Sequence, residues 1–203
     1  IIGPITGGAR FNNINKLNYL IRKFIFPLFF YVSNIIINLR FKKIVFSTDL
    51  LKKYLFKKIK KKSEFNFVLQ DFKYYKRVKK NIDFLIYYRT HKNKVSFFNK
   101  DLISDLVKSK FKIYIVGDKL NIKGVKNFGY IKNKRLKKLQ ASSKFTICSE
   151  ENTYSFFILE CISNHVKIFI NSKDKKKIKF LKNHFLFFNS SKIGEIKKYL
   201  KKL

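Results

Sequence analysis

Residues 144 to 170, KFTICSEENTYSFFILECISNHVKIFI, set a short apolar run, an acidic loop, an apolar-periodic segment and a second apolar run in direct succession. This order predicts strand, loop, helix and strand. Phe145 to Cys148 and Val166 to Ile170 carry the β-branched and aromatic residues of a buried pleated surface, and Phe156, Phe157, Leu159 and Ile162 have the spacing of a packed helix face. Two parallel strands joined by a helix constrain the fold strongly, because such units build an open α/β sheet whose ligands bind at the carboxyl ends of the strands. Ser149 to Ser155 occupy that end. Asn152 and Thr153 suit the N-cap position, which would turn the amides of Ser155 and Phe156 toward an anion.

The same alternation extends upstream. Asp83 to Tyr88 predicts a strand, 99–109 a helix, Phe111 to Val116 a strand ending in a Gly117–Asp118 turn, Val125 to Tyr130 a strand and 133–142 a helix. Downstream come a helix over 174–182, a strand over Phe185 to Phe188 and a helix from Ile193 onward. The fold class is therefore α/β, a Rossmann-like parallel sheet with helices on both faces, and a partial second α/β domain precedes it. In that earlier part, IIGPITGG reads as a strand end running into a turn whose Gly3, Gly7 and Gly8 permit close backbone approach. Residues 16–40 form a long apolar helix broken or kinked at Pro27, then a strand over 43–47, a basic helix over 49–60 and a short apolar piece over 65–69. Residues 71–81 lack an apolar block, so the boundary falls there and divides the chain into 1–72 and 73–203. No internal repeat is present.

Hydrophobic residues make up 46% of the 203, enough for a packed core and against wholesale disorder. The net charge of +35 raises the question of a nucleic-acid partner. Lys far outnumbers Arg, and the lysines are spread along the chain together with Phe, Ile and Asn, the profile of a compositional bias. Arg, whose planar fork reads bases, is scarce, which argues against nucleic acid. Cys148 and Cys161 fall on predicted buried elements and are expected as reduced core residues. No uninterrupted apolar run reaches the ~18 residues of a membrane span. Arg22 and Lys23 before the apolar helix, and Arg40, Lys42 and Lys43 after it, suit either a helix lying on an anionic bilayer or a buried helix with solvated ends. With no Met and an abrupt start, the chain is expected to be a fragment whose beginning lies upstream.

Arg89 follows the Asp83 to Tyr88 strand at once, and Lys94 lies five residues on. On one loop the two cations can converge on a diphosphate. Here the motifs, in order, resemble the donor-binding half of glycosyltransferase family 4, retaining enzymes of GT-B architecture. YYRTHKNK resembles the family's R-x4-K loop, VKNFGYIKNKRLKKLQASS its G-x-V, helix and small-residue pattern, and SEENTYSFFILEC its E-x7-E segment. YIVGD stands in the expected place between them, and IIGPITGG resembles a glycine-rich loop of the acceptor domain. The resemblance implies that Glu160 accepts hydrogen bonds from the nucleotide ribose, that Arg89 and Lys94 neutralise the diphosphate, and that the acid before the helix contacts the donor sugar. Strict register puts Asn152 at that first-glutamate position, with Glu151 one residue before it, so the acid is Glu151, with Asn152 as substitute. Thr153, Tyr154, Ser155 and Phe156 at the helix start, and Gly7 and Gly8, would line the donor. A nucleotide-sugar is then substrate, with no further cofactor and no metal, and the acceptor is a glycan or lipid-linked glycan at the cytoplasmic face of a membrane. Where the family has Gly and Pro after the helix, this chain has His165 and Lys167; Asn164 or His165 is expected to take the left-handed conformation there. The competing expectation is a non-catalytic Rossmann-like module binding nucleic acid or anionic lipid through a basic surface.

Overall fold

The computed structural model describes residues 2–5, 20–46, 49, 51–65, 73–89, 100–148, 153–189, 194 and 196. They fall into two compact units, one within Ile1–Gln70 and one built from Asp71–Arg89 and Phe97–Leu203.

In the first unit, strands β1 (Ile2–Ile5), β2 (Ile44–Phe46) and β3 (Ser63–Glu64) form a parallel sheet in sequence order. Helix α1 (Phe26–Arg40) runs from β1 toward β2, and helix α2 (Lys57–Lys61) leads into β3. The core gathers Ile44, Phe46, Leu51, Leu55, Ile59 and Phe65, against which Phe30 and Ile37 of α1 pack. Asn34, the buried residue of α1, ties the helix down: its amide nitrogen donates to Phe30 O at 2.6 Å and Tyr54 O at 3.3 Å, and its oxygen accepts from Phe56 N.

Two expectations need correction here. Pro27 does not break the helix. A π-helical turn at Ile21–Ile25 runs without interruption into α1, and its wider i→i−5 turn, with Phe26 N bonded to Ile21 O, accommodates the ring and the missing N–H of Pro27 within a continuous helix. As a result Lys23–Arg40, 18 residues of mean hydropathy 1.2, is long and apolar enough to cross a membrane by length and composition. The expected helix over 49–60 is instead a 3-10 turn at Lys52–Tyr54 followed by α2, because Phe56 adopts an extended conformation between them.

The second unit is a six-stranded, wholly parallel sheet flanked by helices. Its strands are β4 (Ile82–Tyr88), β5 (Ile113–Gly117), β6 (Lys126–Asn127), β7 (Ser143–Ile147), β8 (Lys167–Asn171) and β9 (Phe185–Phe188), in the spatial order β6-β5-β4-β7-β8-β9. Counted within the unit, this is the 3-2-1-4-5-6 order of a doubly wound nucleotide-binding sheet. Helices α3 (Lys100–Lys108), α4 (Asn133–Ala141) and α5 (Phe156–Ser163) lie between strands. Three phenylalanines from the three central strands form the heart of the core: the Phe84 and Phe145 rings lie 5.4 Å apart, as do those of Phe145 and Phe169. Leu102, Ile103 and Leu106 of α3 close it on one side.

Here the differences from expectation are local. β6 has two residues where a longer strand is expected, since Gly129 at φ 67 turns the chain away. The lysine-rich stretch expected as a helix over 174–182 is a 3-10 turn at Ser172–Lys177, then Leu181 at φ 56 and a second 3-10 turn at Lys182–His184. Its run of adjacent cations gives no apolar stripe to pack. At the end of α5, Asn164 is the C-cap and His165 takes the left-handed conformation, φ 58. Val166 N bonds Cys161 O and His165 N bonds Ile162 O, the paired closure of a Schellman turn. The His165 ring is spent on structure, with Nε2 2.8 Å from Tyr75 O and its face stacked on Tyr74.

Candidate functional site

The chain leaves β4 toward β5 on one side and leaves β7 toward β8 on the other. Loops after two neighbouring strands that wind away in opposite directions leave a crevice between them, and this is where doubly wound sheets bind ligands. β4 and β7 are hydrogen-bonded partners with Ile82 opposite Ser143 and Phe84 opposite Phe145. Tyr88 is the last residue of β4, paired with Gly117 of β5, and Arg89 follows it out of the sheet.

On the β4 side, Tyr88 is buried and Arg89 is exposed. The neighbouring turn is fastened to this strand end: Asp118 N donates to Tyr88 O at 2.8 Å. Gly117 stands at φ 99, and a Cβ there would lie 2.2 Å from Tyr88 O, so the position admits only glycine without a shift. Tyr130 adds a polar rim. Its hydroxyl donates to Asp118 Oδ1 at 2.6 Å, and that bond chiefly raises the phenol above its ordinary value while the charge of Arg89 pulls the other way. Arg89, Asp118 and Tyr130 thus share one edge.

On the β7 side, α5 begins at Phe156 with Ser155 as N-cap, its hydroxyl accepting from Ile158 N at 3.4 Å. The cap is therefore neither Asn152 nor Thr153. Ser155 has the extended conformation a cap requires, and Thr153 is buried with its carbonyl facing the Cys148 thiol. The shift moves the free helix-start amides to Phe156 and Phe157. No acid occupies the first turn, so the positive end of α5 is not neutralised within the helix. Phe156 is 72% exposed at this end. Tyr154 is committed elsewhere: it is buried, its hydroxyl donates to Phe180 O and accepts from Lys179 N and Phe180 N, and its ring stacks on Phe180. Only its backbone remains for a ligand.

The two sides meet through a ring pair. Tyr87, two residues before Arg89, stacks on Phe157 in the first turn of α5 at 5.5 Å. Arg89 and the helix start are therefore at the same end of the sheet, around the switch point. Glu160 lies in the second turn of α5, half-buried, and its Oε2 accepts from Gln140 Nε2 at 3.1 Å. Lys94, Glu151, Asn152, Gly7 and Gly8 lie outside the described residues. Both thiols are buried and neither forms a disulfide; burial pushes Cys148 up to about 12 and Cys161 well above its ordinary value.

No protein-family model and no curated protein sequence matches the chain. Among solved structures, a glycosyltransferase from Rickettsia africae ESF-5 superposes over 95% of this chain and 57% of its own, with a TM-score of 0.50 at 11% identity. The chain has a glycosyltransferase-like fold. Two structures of the E. coli heptosyltransferase WaaC, one with ADP and one with ADP-2-deoxy-2-fluoro heptose, each cover 59% of this chain, with TM-scores of 0.38 and 0.41 at 9% and 8% identity. The chain spans 43% and 42% of those two, so in every pairing it is less than two thirds of the solved protein's length. Within this glycosyltransferase-like fold, sequence reasoning misses Gln140 and Tyr130. A polar residue four positions after Leu136, on the inward face of α4, is the signal that marks Gln140; Tyr130 carries none, because its partner Asp118 is fixed by a turn.

Proposed function

We propose that the chain is the donor-binding half, with part of the acceptor-side domain (73–203 and 1–72), of a retaining glycosyltransferase that moves a sugar from a nucleotide-sugar to a glycan or lipid-linked acceptor in surface-polysaccharide synthesis. The observation that carries this reading is the meeting of Arg89 and the start of α5, a helix with no acid in its first turn, at one end of a 3-2-1-4-5-6 sheet, with Glu160 in the second turn of the same helix. A nucleotide-sugar leaves as a dianionic diphosphate, so the chief requirement is positive charge and amide dipoles held where that charge develops. Arg89 supplies a planar fork, Lys94 a point charge, and the Phe156 and Phe157 amides the helix-end dipole. These groups meet the requirement without a metal. Glu151, with Asn152 as substitute, contacts the sugar, and Glu160 accepts from the ribose diol. The apolar face of α1, with Lys23, Arg40, Lys42 and Lys43 at its ends, rests on the anionic inner face of the cytoplasmic membrane where a lipid-linked acceptor is presented.

Calorimetry on the whole chain tests the donor site. Charge-assisted hydrogen bonds contribute about 1.5–3 kcal/mol each, and two on one carboxylate are less than additive, so Glu160→Ala weakens nucleoside diphosphate roughly 10- to 100-fold. Inorganic diphosphate, which has no ribose, is hardly affected, whereas Arg89→Ala weakens both ligands. Unchanged nucleoside diphosphate affinity in Glu160→Ala refutes the ribose role.

A further inference from the structure

Gln140 is fully buried, and it is the buried residue of a nine-residue helix whose other positions face or border solvent. A buried primary amide has two donors and an acceptor to satisfy. Here one donor reaches Glu160 Oε2 at 3.1 Å, and Oε1 has no hydrogen-bond partner. The side chain also hydrogen-bonds the buried Cys161 thiol, but a leucine of similar size would bury its bulk beside that thiol with no orphaned acceptor, so packing alone does not call for an amide at this place. The reason lies in what the amide does to its neighbour. A neutral N–H on one carboxylate oxygen orients the group without adding a counter-charge. A lysine or arginine at the same place would hold the carboxylate more firmly and compete with an incoming hydroxyl. Among the described residues no cation closes an ion pair on Glu160, and its second oxygen stays available on the half-buried side chain.

We propose that Gln140 is a positioning residue that orients the Glu160 carboxylate and thereby sets the preference of this site for a diol-bearing nucleoside diphosphate over inorganic diphosphate. This rests on the ribose role given to Glu160 above.

The experiment measures both ligands by calorimetry, and stability by urea unfolding, on the whole chain carrying Gln140→Leu or Gln140→Glu. In Gln140→Leu the loss of one orienting hydrogen bond lowers nucleoside diphosphate affinity about 3- to 10-fold. Inorganic diphosphate affinity stays put and stability is unchanged or raised. Gln140→Glu has nearly the same shape. A second carboxylate beside Glu160 repels it in place of orienting it, so the ratio of nucleoside to inorganic diphosphate affinity in Gln140→Glu falls below the parent's measured at the same pH. A purely structural pin predicts the opposite pattern: lower stability, with the ratio unmoved in both variants. That result overturns the proposal. If Glu160→Ala weakens nucleoside diphosphate and neither Gln140 variant changes the ratio, this inference falls alone; if the parent shows no preference for nucleoside diphosphate, the ribose role falls and takes this inference with it.

Discussion

Gly117→Ala tests whether the turn after β5 holds the end of β4 in place. Two costs follow from the geometry. The first is conformational, since φ 99 is a region that side-chain-bearing residues avoid. The second is steric: the new Cβ would lie 2.2 Å from Tyr88 O, and a main-chain oxygen cannot rotate aside as a side chain can. Relieving the overlap needs a movement of roughly 1 Å, enough to break the 2.8 Å bond from Asp118 N to the same oxygen. Strain of about 1–3 kcal/mol and a lost hydrogen bond of about 0.5–1.5 kcal/mol give roughly 2–4 kcal/mol of destabilisation. Gly129→Ala is the matched comparison. Its φ of 67 is also positive, yet nothing lies within 4 Å of a Cβ built there, so only the conformational cost of about 1–2 kcal/mol applies. Urea unfolding of the two variants, read as midpoint shifts at constant slope, measures the difference. Tyr88 directly precedes Arg89, so Gly117→Ala also weakens inorganic diphosphate binding under conditions where the variant is fully folded. Equal destabilisation by the two substitutions, or a larger effect at Gly129, refutes the contact argument.

Other outcomes follow from the same structure. The chain pellets with vesicles containing anionic lipid and not with neutral ones, and Leu28→Ser with Phe29→Ser, both on the exposed face of α1, abolishes this; equal pelleting with both lipids, or with neither, removes the membrane reading. Cys148 and Cys161 resist iodoacetamide in the native chain at pH 8 and react on unfolding, because burial keeps both thiols protonated; fast native labelling at either contradicts this. His184 is buried, accepts from or donates to Tyr74 Oη through Nε2, and is held below its ordinary value by burial and then by Lys167 and His165. With the folded value below the unfolded one, its contribution is fully present above about pH 6.5 and is lost as pH falls through the folded value, so His184→Phe flattens the decline in stability below about pH 6.5. An unaltered pH dependence in that variant counts against the assignment.

The strand-and-helix alternation of the second unit was legible because each central strand is buried on both faces and writes its position as an unbroken apolar run, as in DFLIYY and KIFI. Conformations that depend on one side chain's local partner were harder. Asn152, Thr153 and Ser155 all suit an N-cap, and the choice went to Ser155 once Thr153 was drawn into the core beside Cys148. The break at Phe56 and the short turns around Leu181 likewise come from tertiary packing and leave no period in the sequence. The buried partner of Glu160 was foreseeable as a need, since an acid between Leu159 and Cys161 requires one, and the spacing from Leu136 marks Gln140 as an inward polar residue, yet nothing in the sequence pairs the two across twenty residues and two helices.

What the sequence leaves open is strand order, and strand order is what makes the site. Apolar runs reveal that β4 and β7 exist; they say nothing of which strand each one touches, because every strand here presents a similar surface. Had β7 added next to β6 in place of β4, Arg89 and the start of α5 would stand on different parts of the sheet with the same residues and the same elements. The observed ladder from Ile82 and Phe84 to Ser143 and Phe145 decides otherwise, and the Tyr87–Phe157 stack holds the consequence in place. A cation after one strand and a helix start after another come to the same end of the sheet only through that pairing. A substitution that loosens the stack without touching either group, such as Tyr87→Ala, is therefore expected to weaken diphosphate binding while Arg89 and the α5 cap are both intact. If diphosphate affinity survives in a folded Tyr87→Ala chain, the two sides act independently and the switch point is only their address.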